Sequence, residues 1–258
     1  MSDSLTQPCL PHPVIPPAER LIIALDFPDE RQAMALAEAL PAAVYFKVGL
    51  ELYLAAGDRM VSKLKALVKK VFLDLKFHDI PNTVTQACRQ ACRLGADMIN
   101  IHALGGLRMM AQAADGLRQY GEAENLRPPA LIAVTILTSM AEEDMIEVGL
   151  PPASEVNAVR LAMLARSSGL AGVVASPREI RAIRQAAGED FLIVCPGVRP
   201  AGADLADQRR VMTPGEAIAA GADYLVVGRP ITRAADPQAA AAGILAEIRA
   251  ALPGVLRG

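Results

Sequence analysis

The run Asp74-Leu75-Lys76-Phe77-His78-Asp79 sets an acid, a base and an acid at positions i, i+2 and i+5. Side chains on a strand alternate between faces, so in an extended segment Asp74 and Lys76 point the same way. Charges turned toward the buried side of a strand are costly unless paired, and this order of charges supplies the pairing. A lysine flanked by carboxylates is favoured in its protonated form. In a site closed to water it offers a fixed positive charge to a developing anion, and a proton to deliver. Two plainer readings compete. Asp79, two residues before Pro81, could cap the helix that Pro81 opens. Asp74 and Lys76 could form an ion pair on the wet face of an edge strand, but Phe72, Leu73, Leu75 and Phe77 leave little sign of one. Residues 71–83 are therefore the candidate site.

These charges need a frame, and the chain supplies short apolar runs alternating with amphipathic helical stretches. The apolar, β-branched runs predict strands at 21–26, 43–48, 71–76, 97–101, 130–137, 170–174, 191–195 and 224–227. Helical sequence lies between them: 30–40, a stretch up to about 68, 82–94, and one from Gly105-Gly106 to about 120. A further stretch is broken near Pro151-Pro152, Ser176-Pro177 reads as the cap and first residue of another helix, and 237–252 closes the chain. Apolar strands separated by helices imply a parallel sheet covered on its outer face. Eight such units in 258 residues are the arithmetic of an α/β fold, the single-domain (β/α)8 TIM barrel. A doubly wound open sheet would show a Gly-x-Gly-x-x-Gly turn after its first strand, where Phe27-Pro28-Asp29-Glu30 stands instead. Residues 1–20, with five prolines and no apolar core segment, read as an irregular N-terminal extension rather than a secretory signal; 21–258 is the barrel.

Barrels of this kind carry their chemistry at the C-terminal ends of the strands. Those ends present Asp26, Lys47, Asp74 with Lys76, and Thr138. Strand seven runs into Pro196-Gly197-Val198-Arg199-Pro200, and strand eight into Val227-Gly228-Arg229-Pro230. Gly228 and Arg229 suit an anion, since a ligand can approach backbone N–H groups with a guanidinium beside them. The segment 198–212, which includes Gln208, is long for such a connection and reads as a functional lid. Taken singly, Asp26 could form a turn, Lys47 could snorkel to the rim and Arg229 could be a solvated charge. Their joint placement at one face is harder to dismiss.

Bulk properties remove several classes of function. A net charge of −2 with no basic cluster, and 3% aromatic residues with no Trp, argue against a nucleic-acid partner. No run of about 20 apolar residues is present to span a bilayer. Cys9, Cys88, Cys92 and Cys195 form no Cys-x-x-Cys, and His12, His78 and His102 lack metal-ligand spacing. The thiols read as small buried side chains of a protein in a reducing, cytoplasmic setting.

The segment from Asp74 through Asp79-Ile80-Pro81-Asn82-Thr83 resembles the signature of the orotidine 5′-monophosphate decarboxylase family. Leu21-Ile22-Ile23-Ala24-Leu25-Asp26, Phe46-Lys47-Val48-Gly49, Ala133-Val134-Thr135-Ile136-Leu137-Thr138-Ser139 and the two strand-end motifs above follow in the family's order. The resemblance implies conversion of orotidine 5′-monophosphate to UMP and CO2, in de novo pyrimidine synthesis, with no metal and no cofactor. It implies that Asp26 and Lys47 hold the ribose hydroxyls, and that Lys47, Asp74, Lys76 and Asp79 form a charged chain. Lys76 would stabilise and then protonate the carbanion at C6. Asp74 would stand where the departing carboxylate crowds it, either raising the ground state or positioning Lys76. Thr138 would touch the pyrimidine, Gln208 would bridge base and phosphate, and Arg199, Gly228 and Arg229 would bind phosphate. Asp79 and Thr83 would reach into a partner's site, which makes the active unit a homodimer. Related phosphosugar barrels, such as the hexulose-phosphate synthases, share the Asp-x-Lys-x-x-Asp strand but need a divalent metal. They place an acidic ligand at the end of strand two, where this chain has Lys47. A non-catalytic phosphosugar sensor would have no use for Lys76.

Overall fold

The computed structural model describes residues 15–200 and 212–252. Strands form at β1 (Leu21–Ala24), β2 (Tyr45–Gly49), β3 (Lys70–Phe77), β4 (Met98–His102), β5 (Ala130–Val134), β6 (Gly172–Val174), β7 (Leu192–Pro196) and β8 (Tyr224–Val227). They pair in chain order, all parallel, and β8 returns to β1, so the sheet closes into the predicted (β/α)8 barrel. Closure leaves no edge strand, which removes the edge-strand ion pair as an account of Asp74 and Lys76.

Period-2 alternation sorts the strand residues into two cores. Ile22, Ala24, Tyr45, Phe72, Met98, Ile132, Val194 and Val226 fill the inside of the barrel. Their sequence neighbours, such as Ile23, Phe46, Val71, Leu73, Ile99 and Leu225, pack outward under the helices. Tyr45 and Tyr224 meet edge to face inside, with ring centroids 5.9 Å apart. The interior is thus apolar at mid-height, and polar groups are left for the strand ends.

The helical layer is more divided than one helix per strand. The stretch after β2 breaks at Gly57, whose φ of 65° suits glycine, into Leu50–Ala56 and Asp58–Ala66. The stretch after β5 breaks around Pro151-Pro152, as expected, into Glu142–Glu147 and Ser154–Ser167. After β6, Ser176-Pro177 does not start a helix. Glu179 closes a turn instead: its carboxylate accepts from the Ser176 N–H (2.9 Å) and the Ser154 hydroxyl (2.7 Å), and the helix begins at Ile180. Burial of Glu179 makes those bonds worth more than a serine cap three residues earlier.

The helix Pro81–Arg93 buries Val84, Cys88, Ala91 and Cys92 along one stripe. It crosses the helix Gly106–Glu124 at Gly116, where a Cβ would fall 2.3 Å from the Thr85 methyl. That close crossing anchors the segment carrying Asp79 and Thr83. Cys88, Cys92 and Cys195 are buried free thiols, and burial pushes Cys88 up to about 12, out of reach of ordinary thiolate chemistry. Cys9 and His12 lie outside the described residues. Of the N-terminal stretch, Ile15 is buried, Pro17–Glu19 forms a 3-10 turn, and Glu19 pairs with Lys70 at 2.6 Å. Among the described residues no helix is long and apolar enough to cross a membrane.

Candidate active site

One step beyond the apolar interior, the inward positions change character. Asp26 follows Ala24, Lys47 follows Tyr45, Asp74 follows Phe72, and Asn100 follows Met98. The same two-residue step puts Pro196 after Val194 and Gly228 after Val226. Residue type and pleat therefore build a polar ring at the C-terminal mouth of the barrel.

Within this ring the charges alternate in space. Lys47 Nζ lies 2.9 Å from Asp26 Oδ1 and 3.3 Å from Asp74 Oδ2. Lys76 Nζ donates to Asp74 Oδ1 at 2.7 Å. Lys47 and Asp74 are both buried, so neither would keep its charge cheaply without the other. Burial alone would push the Lys47 ammonium toward neutrality. Attraction to Asp74 and Asp26 outweighs it and holds Lys47 above the usual lysine value. Lys47 is a buried ion-pair centre, not a rim lysine. A Cβ at Gly49, the next inward position on β2, would sit 3.0 Å from that ammonium, so the bare backbone leaves it room. Asp26 and Lys76 are the more open members, with side chains 62% and 31% exposed, so a ligand entering the mouth meets them first.

Lys76 departs from the simple pleat. Its φ is 52°, in the left-handed region, and the β3–β4 register slips beside it. Leu73 pairs with Ile99, but the next pair is Phe77 with Ile101, so four steps on β3 match two on β4. Asp74 and Lys76 do meet, as strand alternation predicts, but through a bulge and not through a regular strand. A non-glycine residue at such a φ costs about 1–3 kcal/mol and persists only where its surroundings enforce it.

Asn100, not foreseen from the sequence, is what the bulge bonds to. It is 1% exposed, its Nδ2 donates to Asp74 Oδ1 (2.7 Å), and its Oδ1 accepts from the Lys76 backbone N–H (2.8 Å). The signal was present: an amide at the inward position of an otherwise apolar strand, Met98-Ile99-Asn100-Ile101-His102. His102, one inward step later, has its ring 5.5 Å from that of His78. Burial, then His78 and Lys76, hold His102 below the usual imidazole range and so neutral near pH 7.

Asp79 does not join the chain Lys47–Asp74–Lys76 within this subunit. It is exposed, its carboxylate accepts from the Ile80 N–H at 2.6 Å, and it does not cap the next helix. Thr83 is exposed on the first turn of that helix, and Ile80 between them is 66% exposed. β5 ends at Val134, three residues short of the predicted end, so Thr138 lies on an exposed turn beyond the strand. Pairing with both β4 and β6 stops at Val134, and beyond it the Thr135 N–H (3.3 Å) and hydroxyl (3.0 Å) both donate to the Val174 carbonyl. Arg199 is half-buried after β7, its N–H donating to the Met212 carbonyl at 3.1 Å. Gly228 backs onto Asp26, since a Cβ there would lie 3.6 Å from Asp26 Oδ2, and Arg229 is exposed beside it. Gln208 lies outside the described residues. Among the described residues no group of three or more His, Cys, Asp or Glu is placed to hold a metal ion.

Comparison with known proteins places these features among relatives. Residues 19–244 match the model of the orotidine 5′-phosphate decarboxylase / HUMPS family. The orotidine 5′-phosphate decarboxylase of Moorella thermoacetica is 55% identical over 232 residues, covering 89% of this chain and 92% of that protein. The enzyme of the same name from Syntrophotalea carbinolica is 53% identical over 235 residues, covering 91% and 96%. Among solved structures, the orotidine 5′-phosphate decarboxylase of Lactobacillus acidophilus superposes with a TM-score of 0.78 at 39% identity, over 89% of this chain and 99% of that one.

Proposed function

Because this chain belongs to the orotidine 5′-phosphate decarboxylase / HUMPS family, we propose that it is a carboxy-lyase converting orotidine 5′-monophosphate to UMP and CO2 in pyrimidine biosynthesis. The observation that carries this reading is the alternation Asp26–Lys47–Asp74–Lys76, buried at Lys47 and Asp74 and ending in the partly open Lys76 ammonium. When the C6–carboxylate bond breaks, its electron pair stays on C6 in an sp2 orbital that the ring cannot delocalise. A cation already in place stabilises that pair without reorganising, which is where a preoriented charge outperforms water. Lys76 then transfers a proton from Nζ to C6, giving UMP and a neutral amine that water reprotonates. Asp74, bonded to Lys47, Lys76 and Asn100, supplies the anion that holds the Lys76 ammonium in place. The chemistry asks for no electron sink, so the reading includes neither metal nor coenzyme. For the metal-dependent phosphosugar enzymes, the position at the end of β2 would carry an acid; here Lys47 fills the space between two carboxylates with a cation of its own.

In this reading Asp26 and Lys47 hold the ribose, Thr138 and Gln208 meet the base, and Arg199, Gly228 and Arg229 take the phosphate. The phosphate contacts lie far from C6 and provide binding energy for closing the site. Asp79 and Thr83, exposed on one subunit, complete the site of a second copy, so the active unit is a cytoplasmic homodimer.

The direct test is purified protein with orotidine 5′-monophosphate and excess EDTA, following the fading orotate absorbance. Turnover undiminished by EDTA is expected; absence of turnover, or its loss with chelator, overturns the reading. Arg229→Ala is expected to raise KM for the nucleotide about 10- to 100-fold, the worth of a lost charge-assisted bond, with kcat/KM for the bare nucleoside nearly unchanged. An equal loss for both substrates would remove Arg229 from the phosphate site.

A further inference from the structure

We propose that Asn100 is the positioning residue that sets where the Lys76 ammonium stands; the inference rests on the decarboxylase reading of the site. Three observations converge on it. The first is the register slip between β3 and β4, which deprives the Lys76 N–H of a regular ladder partner. The Asn100 carboxamide oxygen takes that N–H at 2.8 Å. The second is the left-handed φ of 52° at Lys76, a conformation that a lysine holds only where its surroundings enforce it. The third is the other end of the same carboxamide, whose Nδ2 donates to Asp74 Oδ1 at 2.7 Å, the oxygen that also accepts from Lys76 Nζ.

Asn100 therefore closes a ring that runs from the Lys76 backbone, through the amide, to the Asp74 carboxylate, and back through the Lys76 side chain. Both the root and the tip of the lysine are referred to one rigid, fully buried group on the neighbouring strand. An amide is suited to this task because it donates and accepts at once and carries no charge. An aspartate would repel Asp74, and an aliphatic residue would leave the bulge N–H and one carboxylate bond unmet. The proposed role is to keep the ammonium where the carbanion forms. It involves no contact with phosphate or ribose, so its loss should appear in turnover and not in binding.

The test compares wild type, Asn100→Ala and Asn100→Asp. The expected result is a kcat about 100-fold below wild type, with KM and the affinity for UMP within threefold, since a displacement of about an ångström costs that much. Crystal structures of the same proteins are expected to show Lys76 leaving its left-handed φ, or its Nζ moving away from Asp74. If Asn100→Ala does not fold, the isosteric Asn100→Asp keeps the shape and the acceptor toward Lys76 and should show the same split. A kcat within threefold of wild type, a loss carried by KM, or an unmoved Lys76 overturns the proposal. A wild type that turns over no orotidine 5′-monophosphate, with Lys76 displaced in the variant, would instead sink the decarboxylase reading and leave the positioning role standing.

Discussion

Lys76→Ala is expected to lower kcat by at least about 10,000-fold while UMP binding stays within about tenfold of wild type. The size follows from the two roles that one ammonium fills. Electrostatic stabilisation by a fixed group contributes about 100- to 1,000-fold, and general acid catalysis about 100- to 10,000-fold. The two are not independent, so the lower part of their product is the safer expectation. UMP carries no carboxylate at C6, and its ribose and phosphate contacts are assigned to other residues, which is why product affinity should survive. Single-turnover assays with isothermal titration of UMP check both halves; turnover above about one hundredth of wild type removes Lys76 from the chemistry. The same variant tests the shared site. Mixed with an inactive Asp79→Ala chain, it should recover about a quarter of wild-type activity, because half of the random dimers then hold one intact site of two. No recovery on mixing would confine Asp79 to its own subunit.

Asp74→Asn is expected to cost both activity and stability. Asp74 is the anion common to Lys47, Lys76 and Asn100, and it is buried. Neutralising it leaves Lys47 with Asp26 alone and takes from Lys76 the carboxylate it pairs with. Breaking a buried pair from one side costs about 3–5 kcal/mol, and the low end applies because water reaches part of Lys76. Denaturant titration should show a loss of about 3 kcal/mol, or roughly 6–12 °C in Tm. kcat should fall about 100- to 1,000-fold as Lys76 loses its anchor. The stability loss also has a pH signature. In wild type the Lys47 value is raised by Asp74 and Asp26 against the pull of burial, so its contribution is complete below the ordinary lysine value of about 10.4. That contribution is lost as pH rises through the raised folded value. In the variant burial acts on Lys47 without Asp74 to oppose it, so the difference between wild type and Asp74→Asn should be greatest where Lys47 stays protonated in both and shrink as pH rises into the alkaline range. A difference that does not shrink at alkaline pH would mean that Lys47 is not the group Asp74 stabilises.

Residue type and alternation by themselves establish the count of strands, the barrel they close, and the inward placing of Asp26, Lys47 and Asp74. Each of those three lies two positions past an apolar inward residue, and the period-2 rule is local to one strand, so one strand's sequence suffices to read it. The same rule fails where the answer depends on a neighbour. Strand alternation brought Lys76 to Asp74 but could not show the left-handed φ, because the slip that produces it belongs to the pairing of β3 with β4. Ser176 looked like a helix cap because nothing in the local sequence shows Glu179 being drawn inward by Ser154, 25 residues away. The apolar run up to Thr138 outlasts its strand, whose length is set by how far β4 and β6 run beside it. Asn100 gained its meaning only when folding set its amide between the backbone and the carboxylate of another strand. Local periodicity is written along the chain, whereas register, bulges and shared hydrogen bonds are relations between segments that come together only in the folded barrel.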